Sequence, residues 1–191
     1  IWSISECNAP IISAKPGADL TLRRTSIVNA SVPASGVYSI FWPVTTALIH
    51  GGDSGSGEGG DLIMENVTID RLWGDNSLAV WWNGGSVKVV SSAFYNSHGF
   101  WLENITADFV NSVYSTTESG HFSDNFLLGY NAVLNSEAST FVWANFECQN
   151  CNITKGTGSN ATRGLGFLGA ELPSVRFKST ALGSIVPQSA P

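Results

Sequence analysis

Residues able to do chemistry are sparse in this chain. Asp53, Glu58 and Asp61 lie in the stretch GGDSGSGEGGD, Gly51 to Asp61, and several carboxylates on a flexible backbone are what a hard cation such as Ca2+ needs. Their spacing matches neither an EF-hand nor a complete glycine-aspartate calcium repeat. The stretch therefore reads first as a surface loop thrown out from a corner of the fold, with Ca2+ as its one candidate metal and no cofactor otherwise implied. His50, His98 and His121 are too separated to read as a zinc site, and none pairs with a nucleophilic Ser and a carboxylate in a known motif. Cys7, Cys148 and Cys151 are the only cysteines. An odd count excludes a disulfide scaffold and, in an exported protein, leaves one thiol free or bonded to another chain. N-x-[ST] acceptors occur at Asn29, Asn66, Asn104, Asn152 and Asn160, a density that points to N-glycosylation and export through a secretory route.

Composition narrows the partners. Of 191 residues, 43% are hydrophobic, enough for one sizeable core. Charged residues make up only 13% and the formal net charge is -6, which argues against a phosphate-binding surface and so against nucleic acid. No apolar run reaches the roughly 18 to 20 residues that cross a bilayer, and a first residue of Ile is expected of a processed mature chain. A secreted, extracellular or cell-surface location follows as the expectation.

The elements that must position these residues emerge from an internal repeat. LIMENVTID from Leu62, FWLENITAD from Phe100 and FECQNCNIT from Phe146 carry apolar residues at places one and three and Asn at place five. LTLRRTSIV from Leu20, FWPVTTALI from Phe41, VKVVSSAFY from Val87, FLLGYNAVL from Phe126 and VRFKSTALG from Val175 keep apolar residues at places one and eight. Places one and three share a strand face but place eight has the opposite parity, so the chain must turn a corner near place five. Asn66, Asn104 and Asn150 at that place suit a left-handed backbone and hydrogen bonding to copies above and below. Leu20, Phe41 and Leu62 are spaced as starts of successive rungs, whereas Val87 and Phe100 are too close together and must begin on different sheets. Period-two apolar residues, β-branched and aromatic content and regular Gly, Ser and Asn punctuation leave almost no room for helix.

Among the tryptophans, Trp42 and Trp101 occupy place two, outward in this register, where a glycan, a polysaccharide or a neighbouring subunit would cover them.

From Leu20 to Leu182 the pattern resembles the right-handed parallel β-helix of the pectin-lyase-like superfamily. That resemblance implies an all-β, single-stranded right-handed parallel β-helix of about seven to eight rungs, forming one domain over residues 1–191. Residues 1–19 would form an amino-terminal segment, 51–61 a surface loop and 183–191 an extended tail. FECQN is also similar to the F-x-x-N repeats of chlamydial-type polymorphic outer-membrane proteins. The enzymes of the superfamily would bring further residues. Ser119-Gly120-His121 followed by Arg176-Phe177-Lys178 is similar to the G-H-G and R-x-K segments of polygalacturonases, but the N-T-D segment and the aspartate pair are missing, and inverting hydrolysis depends on those carboxylates. Asp70, Asp75, Asp108 and Asp124 form no calcium cluster of the pectate-lyase kind, and FVWANFECQNC only superficially resembles a pectin-methylesterase strand. No catalytic residue is assigned.

No amphipathic capping helix is visible, and uncapped strand ends of one solenoid can pair with the next. Head-to-tail contact of that kind does not close, so it yields a fibre. The sequence thus predicts a secreted, glycosylated structural protein that polymerises with itself into a filament or coat. Cys7 would bridge across a subunit junction and Cys148–Cys151 pairing is the competing arrangement. A polysaccharide-binding or polysaccharide-cleaving β-helix and a cell-surface adhesin are the alternatives.

Overall fold

The computed structural model describes residues 12–30, 47–52, 59–72, 78–115, 125–142, 145–149, 152–155, 160–161 and 165–166. All regular structure among them is strand, with no helix. Three parallel sheets are formed. The first contains β1 (Ile12–Ala14), β4 (Ala47–Gly51), β7 (Leu78–Asn83), β10 (His98–Glu103), β13 (Asn125–Tyr130), β16 (Asn145–Gln149) and β19 (Leu165–Gly166). The second contains β2 (Leu20–Arg23), β5 (Leu62–Glu65), β8 (Ser86–Val90), β11 (Thr106–Val110), β14 (Val133–Glu137) and β17 (Asn152–Lys155). The third contains β3 (Ser26–Val28), β6 (Thr68–Asp70), β9 (Ala93–Tyr95), β12 (Val113–Ser115), β15 (Thr140–Val142) and β18 (Asn160–Ala161). The chain visits the sheets in fixed rotation, one strand in each, and every strand inside a sheet pairs in parallel with its counterparts one pass earlier and later. We call one such pass a rung. The arrangement is consistent with a parallel β-helix.

Alternation along the second-sheet strands explains their part of the core. In β5, Leu62 and Met64 are fully buried between the half-buried Ile63 and Glu65, as a pleated strand with one apolar face requires. Pairing in register stacks like positions into columns. One runs Leu20, Leu62, Val87, Ala107, Leu134, Ile153; another runs Ile27, Ile69, Phe94, Tyr114, Phe141. Between columns the aromatic rings meet edge to face, Phe94 with Phe100 at 4.9 Å, Phe100 with Phe109 at 5.1 Å and Phe109 with Phe141 at 6.1 Å, the geometry that ring quadrupoles favour.

Corners are made by single residues in the left-handed region. Between the second and third sheets these are Arg24, Asn66, Ser91, Asn111 and Ala138, with φ from 47° to 54°. Between the third and first they are Asn29, Arg71 and Asn96, and between the first and second they are Asn104 and Asn131 together with glycines. Asn66 and Asn104 thus adopt the expected backbone, but at different corners: LIMENVTID joins the second and third sheets, FWLENITAD the first and second. Asn150 lies outside the described residues. Amides stack where expected at Asn104, whose Nδ2 donates to Asn83 Oδ1 at 3.3 Å and whose Oδ1 accepts from Asn131 Nδ2 at 3.1 Å.

A second ladder is internal. After the corner come Val67, Ser92, Ser112 and Ser139, all buried. Ser92 Oγ accepts from Val67 N at 3.0 Å, Ser112 Oγ from Ser92 N at 3.2 Å and Ser139 Oγ from Ser112 N at 3.0 Å. Each hydroxyl also donates to a carbonyl of its own rung two residues back, so amide groups that a corner withdraws from the sheet ladder are satisfied inside the core.

The expected spacing needs one correction. Leu20 pairs directly with Leu62, so the first rung is twice the length inferred and no second-sheet strand starting at Phe41 stands between them. Phe41 and the window from Val175 lie outside the described residues. Val87 and Phe100 do begin on different sheets, the second and the first.

Candidate functional site

The amino-terminal rung, β1 to β3, differs from every rung stacked on it. Its inward residues Ile12, Ala14, Leu20, Leu22 and Ile27 pack against the core but remain partly exposed. Their register partners Ile49, Leu62, Met64 and Ile69 are 0% exposed. Among the described residues no strand pairs on the outer side of β1, β2 or β3, and their inward residues form a partly exposed apolar layer against the core.

Among the described residues the outer edges of these strands have no strand partner. Leu20 N donates to Asp61 O at 2.8 Å and Arg24 N to Glu65 O at 2.9 Å, so in a parallel ladder the intervening Thr21 and Arg23 direct their amides and carbonyls away from the second rung. In β3, Thr25 O accepts from Thr68 N at 2.8 Å and Asn29 N donates to Asp70 O at 3.0 Å, which turns Ser26 and Val28 the same way. Lys15, Arg23 and Arg24 fringe this rung with Asp19. Arg23 Nε pairs with Glu65 Oε2 at 2.8 Å, with both side chains well exposed.

The remaining sites disperse. Asp61, a candidate calcium ligand, hydrogen-bonds to the rungs on either side. Its Oδ1 accepts from Ser86 Oγ at 2.8 Å and Ser86 N at 3.1 Å, while its own N donates to Asp19 Oδ1 at 2.8 Å. Asp53 and Glu58 lie outside the described residues, among which no group of three or more His, Cys, Asp or Glu side chains is placed to hold a metal. The described glycines flanking the loop pack closely: a Cβ on Gly51 would fall within the Trp82 ring, and Trp82 Nε1 donates to Gly60 O at 2.8 Å.

Trp101 requires a correction. It has the outward parity expected, standing in register with Trp81, but it is only 2% exposed, and its Nε1 donates to Glu103 Oε1 at 2.6 Å. With Ala47, Leu78 and Trp81 it forms a buried cluster separate from the main core, so within this chain it offers no surface to a sugar or subunit. Trp42 lies outside the described residues. So do Cys7 and Cys151, whereas Cys148 sits in β16 with its backbone paired to Gly129. Asp108, which an enzyme reading would recruit, accepts from Asn135 Nδ2 at 2.8 Å on the outer face of the second sheet; His121 and Asp124 are not among the described residues.

Of the glycosylation acceptors, Asn29, Asn66 and Asn104 are exposed corner residues, while Asn152 and Asn160 have described backbones in β17 and β18. The acceptor pattern coincides with a corner pattern of the fold. Asn66-Val67-Thr68 and Asn104-Ile105-Thr106 each place a left-handed Asn, then a buried aliphatic, then a β-branched residue opening the next strand.

Composition and repeat pattern alone did not single out the Ser92–Ser112–Ser139 ladder or the partly exposed apolar layer of the first rung. The signal for the first was Ser recurring two places after each strand end. Comparison with protein-family models, with curated proteins and with solved structures returns no match. Among the described residues no helix is long and apolar enough to cross a membrane.

Proposed function

We propose that this chain is an exported, N-glycosylated structural protein, a right-handed parallel β-helix of about seven to eight rungs that stacks end to end with copies of itself into an extracellular filament or coat. The observation that carries this reading is the first rung, where five inward apolar residues remain partly exposed and β1, β2 and β3 have, among the described residues, a strand partner on one side only. Exposed apolar area and unpaired backbone edge are the two features that favour addition of a further strand. A second copy supplies the matching chemistry, since each rung already packs apolar columns and parallel edges against the next. Stacking of this kind is heterologous and does not close, so it propagates. No cofactor is needed for it.

Asn29, Asn66 and Asn104 are the acceptors best placed to carry glycans, and an intermolecular bridge through Cys7 would lock the junction under oxidising conditions. Electron microscopy of the native material tests the reading. Filaments should appear with an axial repeat of about seven or eight rung spacings of about 4.8 Å each; isolated small particles under oxidising conditions at high concentration would refute it.

A further inference from the structure

The sequence contains a single Asn-Gly pair, Asn83-Gly84, at the corner that joins β7 to β8. We propose that this pair is a covalent modification site which the fold keeps closed, and that opening the corner converts it irreversibly and prevents refolding. The proposal does not depend on the assembly reading.

The reaction is intramolecular. Gly84 N attacks Asn83 Cγ, the Cγ–Nδ2 bond breaks, and the Gly84 amide proton leaves with the side-chain nitrogen as ammonia. One water then opens the succinimide at either carbonyl, giving aspartate or isoaspartate. A glycine after the Asn is the most permissive partner, because no side chain hinders the attacking nitrogen.

Each reacting group is restrained. Asn83 is 0% exposed and ends a strand whose six residues are all buried. Gly84 N, the nucleophile, donates to Glu103 O at 2.9 Å, so attack would sacrifice a hydrogen bond of the rung. Asn83 Oδ1 accepts from Asn104 Nδ2 at 3.3 Å, which ties the amide into the ladder. Water is excluded along with solvent.

The product does not fit the corner that made it slow. A Cβ on Gly52 would collide with Asn83 O, and one on Gly59 with Asn83 O and Gly84 O. A Cβ on Gly85 would collide with Gly60 O. Successive backbones are thus in contact here with no space for a methyl group, and Gly52, Gly84 and Gly85 already occupy positive φ. Isoaspartate lengthens the main chain by one methylene at this point, and aspartate places a carboxylate where nothing reaches solvent, a costly burial. Either product forces apart the packing between the second and third rungs.

The test incubates the full-length chain at mildly alkaline pH, native or in concentrated urea, and maps the peptide containing Asn83 by mass spectrometry. Native protein should convert at least about tenfold more slowly than unfolded protein, because reaction must await local opening. After dilution from urea, chains carrying the modification should fail to regain the β-sheet circular dichroism that unmodified chains regain. Asn104→Ala, which removes the ladder donor, should raise the native rate. Equal rates in the two states, no conversion in urea, or full refolding of modified chains would each overturn the proposal.

Discussion

The first and second rungs contain nearly the same inward residues, yet one is half-covered and the other sealed. Ile12, Leu20 and Ile27 stand partly exposed under Ile49, Leu62 and Ile69, which are 0% exposed. Residue type does not distinguish them, and neither does strand register. What differs is that, among the described residues, the second rung has strand neighbours on both sides and the first on one. Stability in such a stack is a sum of rung and interface contributions, and the first rung shows strand pairing on one side only among the described residues. The difference teaches that the same apolar columns which seal the interior remain partly exposed at the first rung.

Substitution along one column sharpens the contrast most. Leu62→Ala should destabilise by about 2–5 kcal/mol, the cost of a cavity in a sealed core. Leu20→Ala, one rung lower in the same column, should cost clearly less in the isolated chain. Urea unfolding of both variants measures the gap, and equal losses would break the comparison. Ser112→Ala comes next. It leaves the buried Ser92 N without its acceptor and removes a hydroxyl that also donates to Val110 O at 2.9 Å, a loss of about 1–3 kcal/mol measurable by the same method. Smallest is Arg23→Ala. The pair with Glu65 is exposed on both sides, so its removal should shift stability by less than about 1 kcal/mol, and less again at high salt.

Much of this architecture was legible in the residues. The inward places of LIMENVTID are buried at Leu62, Met64 and Ile69, and its Asn turns left-handed with φ 54°. Asn declares such a corner because its short polar side chain tolerates that backbone. Arg24, Arg71 and Ala138 make equivalent corners without any local signal, since there the stacked rungs impose the conformation. The length of the first rung was misread because FWPVTTALI has the apolar spacing of a strand start, while pairing is decided by which edge is available in space. Ser112 could have faced either way, and only the amide it accepts from shows why it points inward. At the candidate site, sequence suggested uncapped ends, but the degree of exposure depends on neighbours that no window of residues contains. Parity placed Trp101 on the outer face correctly and could not reveal that the face is covered.

The most direct test of the proposed end-to-end stacking uses Thr21→Pro. Thr21 lies on the edge strand β2 with its amide turned away from the second rung, so proline removes a donor the folded monomer does not use for that pairing. Sedimentation velocity over a range of concentrations should show wild-type protein growing well beyond a dimer, and the variant, folded by circular dichroism, remaining a monomer. Wild-type protein that stays monomeric throughout, or a variant that grows equally, would contradict the account.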